Sequence, residues 1–162
     1  MQERVIFHVD ANSAFLSWTA AYRVRVLGES LDLRDIPSVI AGDKASRHSI
    51  ILAKSGPAKK YGIQTGEPLF QALEKCPDLV VAPPDYSLYV EASRHFVQML
   101  RQFSPMVQQY SIDEAWVDMT GTQRIFGAPR LAAEKMRQRI WEELGFTVNV
   151  GISSNKLLAK MA

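Results

Sequence analysis

The chain is 162 residues long, 47% apolar and 22% charged, enough to bury the core of one or two compact domains. Its formal net charge of +2 and isoelectric point near 8.7 permit nucleic-acid binding without demanding it. No apolar run approaches the roughly 20 residues that span a bilayer, Met1-Gln-Glu-Arg lacks a signal-peptide pattern, and the lone Cys76 excludes an internal disulfide. A cytoplasmic protein with no membrane contact is expected. His8, His48 and His95 are scattered, form no zinc-spaced cluster and read as packed or solvated side chains.

The first predicted element is a buried strand, Val5-Ile-Phe-His-Val-Asp, which ends on the carboxylate of Asp10 and is followed by small and polar residues. A helix over roughly 13–27 comes next, with Leu16, Ala20, Val24 and Leu27 at helical spacing, Asn12 or Ser13 as its cap and Gly28 as its stop. Phe15 falls in its first turn and, by pattern alone, is a core anchor. Residues 36–82 hold short elements. Strands are expected over 36–41 and 49–53, and short helices at Pro57–Gly62 and over 68–75. Leu79-Val-Val-Ala reads as a further strand, and the Pro83-Pro84 break then marks a boundary.

A long helix over about 85–103 carries Tyr89, Ala92, Phe96, Leu100 and Phe103 on one stripe, which is core. Two β-prone segments follow, joined around Asp113 and Glu114, and then a turn at Thr120-Gly121-Thr122. A helix over about 129–144 turns Ala133, Met136, Ile140 and Leu144 inward, and Thr147-Val-Asn-Val-Gly-Ile is the last strand. The final residues begin a helix capped by Ser153 or Ser154 and stop within it, which suggests a fragment of a longer chain. Without residues 11–82 the order is strand, helix, strand, strand, helix, strand, the ferredoxin-like βαββαβ arrangement of an α+β fold. Asp10 and the 113–114 turn then lie on neighbouring central strands.

An Asp-Glu pair in a turn is by itself ordinary, since Asp is a common turn residue. Adding Asp10 changes this. Three carboxylates gathered from a strand end and a hairpin tip repel one another unless cations neutralise them, and all-oxygen donors suit magnesium, or manganese. Metal pairs held in this way serve phosphoryl and nucleotidyl transfer.

Three segments carry a resemblance: His8-Val-Asp-Ala-Asn-Ser-Ala-Phe, Tyr110-Ser-Ile-Asp-Glu-Ala and Val150-Gly-Ile-Ser-Ser-Asn-Lys-Leu-Leu-Ala-Lys. In order and spacing the chain resembles the N-terminal part of the Y-family, lesion-bypass DNA polymerases over essentially its whole length. The resemblance implies a catalytic palm from residues 1–10 and 83–162 and a small inserted fingers domain from 11–82. It implies two magnesium ions on Asp10, Asp113, Glu114 and the backbone carbonyl of Ala11. Phe15 becomes a steric gate beneath the nucleotide sugar, with Ser13, Ala14, Lys59, Lys156 and, more weakly, Lys54 at the nucleotide.

The same family usually has Asn-Tyr and then Ala-Arg where this chain has Ser55-Gly56 and Ala58-Lys59, so the tyrosine contact to the triphosphate is missing and a point charge replaces a guanidinium fork. Without the resemblance, Lys54, Lys59 and Lys60 are a solvated face and Lys156 a surface lysine. The expected partners are primer-template DNA and a deoxynucleoside triphosphate, with a sliding clamp reached through regions beyond residue 162. The isolated piece is expected to be weak or inactive as an enzyme. The rival readings are a palm-fold nucleotidyl cyclase, which needs no template, and a non-catalytic DNA-binding remnant.

Overall fold

The computed structural model describes residues 2–162; Met1, the first residue of the expected palm segment, lies outside them. The chain divides into two compact units, the segment ending at Asn12 together with Val90–Ala162, and Ser13–Tyr89. The division falls between Tyr89 and Val90.

The first unit is built on a four-stranded antiparallel sheet of β1 (Ile6–Ala11), β5 (Val107–Gln109), β6 (Glu114–Asp118) and β7 (Val148–Ser153), in the order β5-β6-β1-β7. Period-two alternation decides what each face carries. Phe7, Val9, Ala115 and Val117 are fully buried on one face. His8, Asp10, Glu114 and Trp116 share the other, because His8 pairs with Trp116 and Asp10 with Glu114 across the β1–β6 ladder. β1 is buried on both sides because helix α7 (Lys156–Met161) lies against β1 and β7. Gly151 admits it: a Cβ there would sit 2.0 Å from the Ala159 carbonyl oxygen.

Two helices supply the remaining core. In α4 (Tyr86–Arg101), Phe96, Val97 and Leu100 are buried, and Phe96 meets Phe146 edge to face at 5.9 Å. Helix α6 (Pro129–Arg139) starts with proline at its first position and buries Ala132, Ala133 and Met136. It ends in a π-helical turn, Ile140–Leu144, closed by Gly145 at φ 83°. Between the two, the short α5 (Gln123–Phe126) follows the Gly121 turn.

The second unit holds α1 (Ala14–Arg25), β2 (Ser38–Ala41), β3 (Ile51–Lys54), α2 (Gly56–Lys59), α3 (Leu69–Lys75) and β4 (Val80–Ala82). The strands order β3-β2-β4, with β2 antiparallel to β3 and parallel to β4. Leu16 and Ala20 of α1 pack on Ile40, Ala53 and Ala82, while Ala58, Leu69 and Ala72 pack on Val39 and Ile51.

α1 departs from expectation at both ends. Its inward face stops at Ala21; Val24 is half-buried and Leu27 exposed, so the last turn projects past the packed layer. Ser13, one of the two expected residues, is the N-cap, but it lies in the left-handed region at φ 44° and makes no side-chain capping bond, while Asn12 Nδ2 donates to Thr147 Oγ1 at 3.0 Å. α7 is likewise capped one residue later than expected, by Asn155, whose Oδ1 accepts from the Leu158 amide at 2.9 Å.

Candidate active site

Asp10 closes β1 and Glu114 opens β6, so the register places them directly opposite on one face of the sheet. Asp113 precedes Glu114 in the turn and is tied to β1 by its carbonyl, which accepts from the Ala11 amide at 3.0 Å. The turn is closed by the Tyr110 and Ser111 amides, both donating to the Glu114 carbonyl. Ser111 Oγ lies 2.8 Å from Asp113 Oδ1 and 3.2 Å from Glu114 Oε2, within donating range of both carboxylates. The backbone thus bends where two acids adjacent in sequence must come together.

The surrounding charges are unevenly balanced. Burial, and then the neighbouring Glu114 and Asp113 carboxylates, push the Asp10 carboxyl up to about 6, against a smaller opposing pull from Lys160. Lys160 Nζ stands 3.3 Å from Glu114 Oε1. His8 Nε2 lies 3.2 Å from the same oxygen but out of line for a hydrogen bond, and burial pulls its imidazole below the ordinary value. Lys160 is the only lysine or arginine within 4 Å of these carboxylates among the described residues.

As arranged, no three acids or histidines among the described residues converge on one point as a metal cage. Glu114 is turned towards Lys160 instead. The donor chemistry nevertheless fits a hard divalent cation, since all the candidate donors are oxygens and their mutual repulsion is already visible at Asp10.

Lys156 and Lys160 sit one turn apart on α7, and only Lys160 reaches an acid. Lys156 is held by Gln108 Oε1 and over the Trp116 ring, 5.6 Å from its centroid. Lys160 was not singled out from the sequence. The four-residue spacing on a helix passing the sheet is the signal that could have marked it.

The other expected residues belong to the second unit. The half-buried Phe15 ring stacks face to face on buried Tyr89 at 4.3 Å, with Tyr86 at its edge. Ser13 and Ala14 form the entry to α1, whose first amides have no acceptor within the helix. Lys54 ends β3 and Lys59 ends α2, and neither has a carboxylate partner among the described residues. Ser55 caps α2: Oγ accepts from the Ala58 amide at 3.1 Å and the Ser38 amide at 3.0 Å, and donates to the Ile36 carbonyl at 2.7 Å. Gly56 beside it has open space where a side chain would stand.

Residues 9–162 match the model of the impB/mucB/samB family. The chain is 54% identical over 159 residues to a protein named DNA polymerase IV from Clostridium acetobutylicum, covering 98% of this chain and 40% of that protein. It is 37% identical to DNA polymerase IV 2 of Bacillus subtilis over 162 residues, 38% of that protein's length. The chain therefore spans about two-fifths of the curated relatives it matches. Among solved structures, the insertion ternary complex of Dbh DNA polymerase superposes with a TM-score of 0.80 over 97% of this chain and 44% of that one, at 24% identity. DinB from Sulfolobus solfataricus gives 0.79 over the same shares, at 25% identity.

Proposed function

The chain belongs to the impB/mucB/samB family, and from that footing we propose that it is the catalytic part of a template-directed, lesion-bypass DNA polymerase. In this reading the four-stranded unit is a ferredoxin-like palm and the unit inserted after β1 is the fingers. The observation that carries it is the facing Asp10–Glu114 pair with Asp113 at the turn, a partly buried group of acids in which burial first, and the neighbouring carboxylates next, raise the Asp10 carboxyl to about 6. Relatives named DNA polymerase IV and a neighbour titled as a ternary complex support the same reading.

Asp10, Asp113, Glu114 and the Ala11 carbonyl would hold two magnesium ions, with manganese as an alternative. Bound there, such ions lower the pKa of a primer 3′-hydroxyl and neutralise charge on the triphosphate and leaving pyrophosphate. The protein's own part is alignment and electrostatics. Ser111 orients the two acids of the turn. Lys160 exchanges Glu114 for a triphosphate oxygen, which frees the carboxylate and keeps one cation in the site. The first-turn amides at Ser13 and Ala14 take up phosphate, as helix starts do. Lys59, with Lys54 in support, supplies the point charge that stands in for the missing tyrosine–arginine grip. Phe15, held rigid by its stack on Tyr89, stands beneath the sugar and rejects a 2′-hydroxyl by overlap. Primer-template DNA and a deoxynucleoside triphosphate are the substrates, and a sliding clamp is the expected processivity partner.

Primer extension by the full-length gene product tests the reading. Extended DNA should form only with template and a divalent cation. A cyclic nucleotide formed without template would replace this reading with the cyclase one, and no turnover together with no cation binding would support the remnant.

A further inference from the structure

We infer that Lys156, pre-set by Trp116 and Gln108, is the seat of a backbone phosphate of the primer strand rather than of the incoming triphosphate. The inference rests on the polymerase reading and goes beyond it to the course of one strand.

Trp116 lies opposite His8, two residues along the sheet from the Glu114–Asp10 pair and on the same face, a step of roughly 7 Å. Gln108 lies opposite Trp116 on its other side. The indole N–H donates to the Lys156 carbonyl at 3.1 Å, which fixes the start of α7 against the strand. The Lys156 ammonium in turn rests over the indole ring and on the Gln108 side-chain carbonyl. These are neutral partners. Among the described residues Lys156 pairs with no carboxylate, and its side chain is exposed, so its charge is oriented yet not neutralised. Tyr110, 59% exposed, stands edge-on to Trp116 at 5.0 Å and beneath Lys160, extending the surface with an aromatic ring.

Along this face the charge changes sign, from three acids at the strand end to an isolated lysine one step away. A nucleic-acid strand ending at the acids has the matching pattern, with an uncharged hydroxyl at its terminus and its first phosphate about one nucleotide back. A triphosphate carries its charge at the reacting centre itself, where Lys160 already stands. The two lysines of α7 are therefore divided between two phosphates. Lysine, tyrosine and glutamine are groups that contact phosphate and sugar without reading sequence.

The test uses the full-length gene product, with primer-template affinity measured by fluorescence anisotropy across a salt series and the nucleotide KM measured at saturating DNA. Lys156→Ala should weaken primer-template binding roughly ten-fold at low salt and reduce the slope of log K against log salt by about 0.9, the contribution of one phosphate contact. Lys156→Arg should restore both, and the nucleotide KM should not move in either variant. A raised nucleotide KM with unchanged DNA affinity and slope would overturn the inference and put Lys156 on the triphosphate. No change in any of these would leave it a surface lysine and overturn the inference equally. The polymerase reading fails separately, if wild-type protein does not extend a primer or if Asp113→Ala extends it as well as wild type.

Discussion

Replacing Asp10 by asparagine should stabilise the cation-free protein while disabling it. The carboxyl sits opposite Glu114 and beside Asp113, and its pKa is moved from an ordinary 3.8 to about 6, by burial first and by these two neighbours next. The folded state therefore holds the proton more tightly than the unfolded one, so stability falls as pH rises from about 3.8 to about 6 and stays reduced above that. At roughly 1.4 kcal/mol per pH unit the shift corresponds to about 3 kcal/mol, and partial solvent access screens this to about 1–2 kcal/mol. Asparagine keeps the shape and removes the charge. Urea denaturation at pH 7.5 without divalent cation should show Asp10→Asn more stable by about 1–2 kcal/mol, roughly 2–8 °C in Tm for a chain of this size. Near pH 3.5 most of the advantage should be gone, because wild-type Asp10 is then mostly protonated in both states. Saturating magnesium at pH 7.5 should raise the wild-type Tm and not that of the variant. A folded variant that is equal to or less stable than wild type at pH 7.5 would refute the crowded-acid reasoning.

Phe15→Ala should raise the ribonucleotide-to-deoxynucleotide ratio of kcat/KM strongly and cost less than the 3–5 kcal/mol typical of a fully buried phenylalanine, since this ring is half-exposed on Tyr89. A full-sized stability loss with an unchanged ratio would make it a core anchor instead. Gly151→Ala should destabilise by about 1–3 kcal/mol in urea and lower nucleotide incorporation, because its methyl would meet the Ala159 carbonyl at 2.0 Å and displace the helix bearing Lys156 and Lys160. Wild-type behaviour in both assays would mean that α7 adjusts freely.

The parts of this architecture that depend on short-range pattern could be read from the chain. The apolar run Val5-Ile-Phe-His-Val marked a buried strand, and Phe7 and Val9 are inside it; the hairpin around 113–114 followed from two β-prone segments flanking a bend, and the facing of Asp10 and Glu114 comes from the separate pairing of β1 with β6. What escaped the sequence was decided by tertiary contact. Of Asn12 and Ser13, the N-cap is Ser13, but its left-handed backbone, which no short-range pattern shows, leaves it without a side-chain capping bond, and Asn12 Nδ2 reaches Thr147, distant in sequence. Lys156 and Lys160 are equivalent surface lysines until α7 is laid on Gly151, and only then does one meet Glu114 and the other Trp116. Ser55, which stands where the family usually has asparagine, caps α2 through the Ala58 amide and ties it to Ser38 and Ile36 by two further hydrogen bonds. The helix stripe on α1 overran its packing because periodicity records which face is apolar and not how far the neighbouring sheet extends.

Whether the three acids form the catalytic centre is decided by Asp113→Ala in the full-length gene product. Asp113 sits in a turn and is tied by its backbone carbonyl, so the substitution leaves the Ala11–Asp113 bond in place and the fold should survive, as circular dichroism and melting can verify. Single-turnover primer extension with magnesium should then fall by orders of magnitude, the scale of losing several kcal/mol of transition-state charge stabilisation. Near-wild-type extension by a correctly folded Asp113→Ala protein would contradict the account.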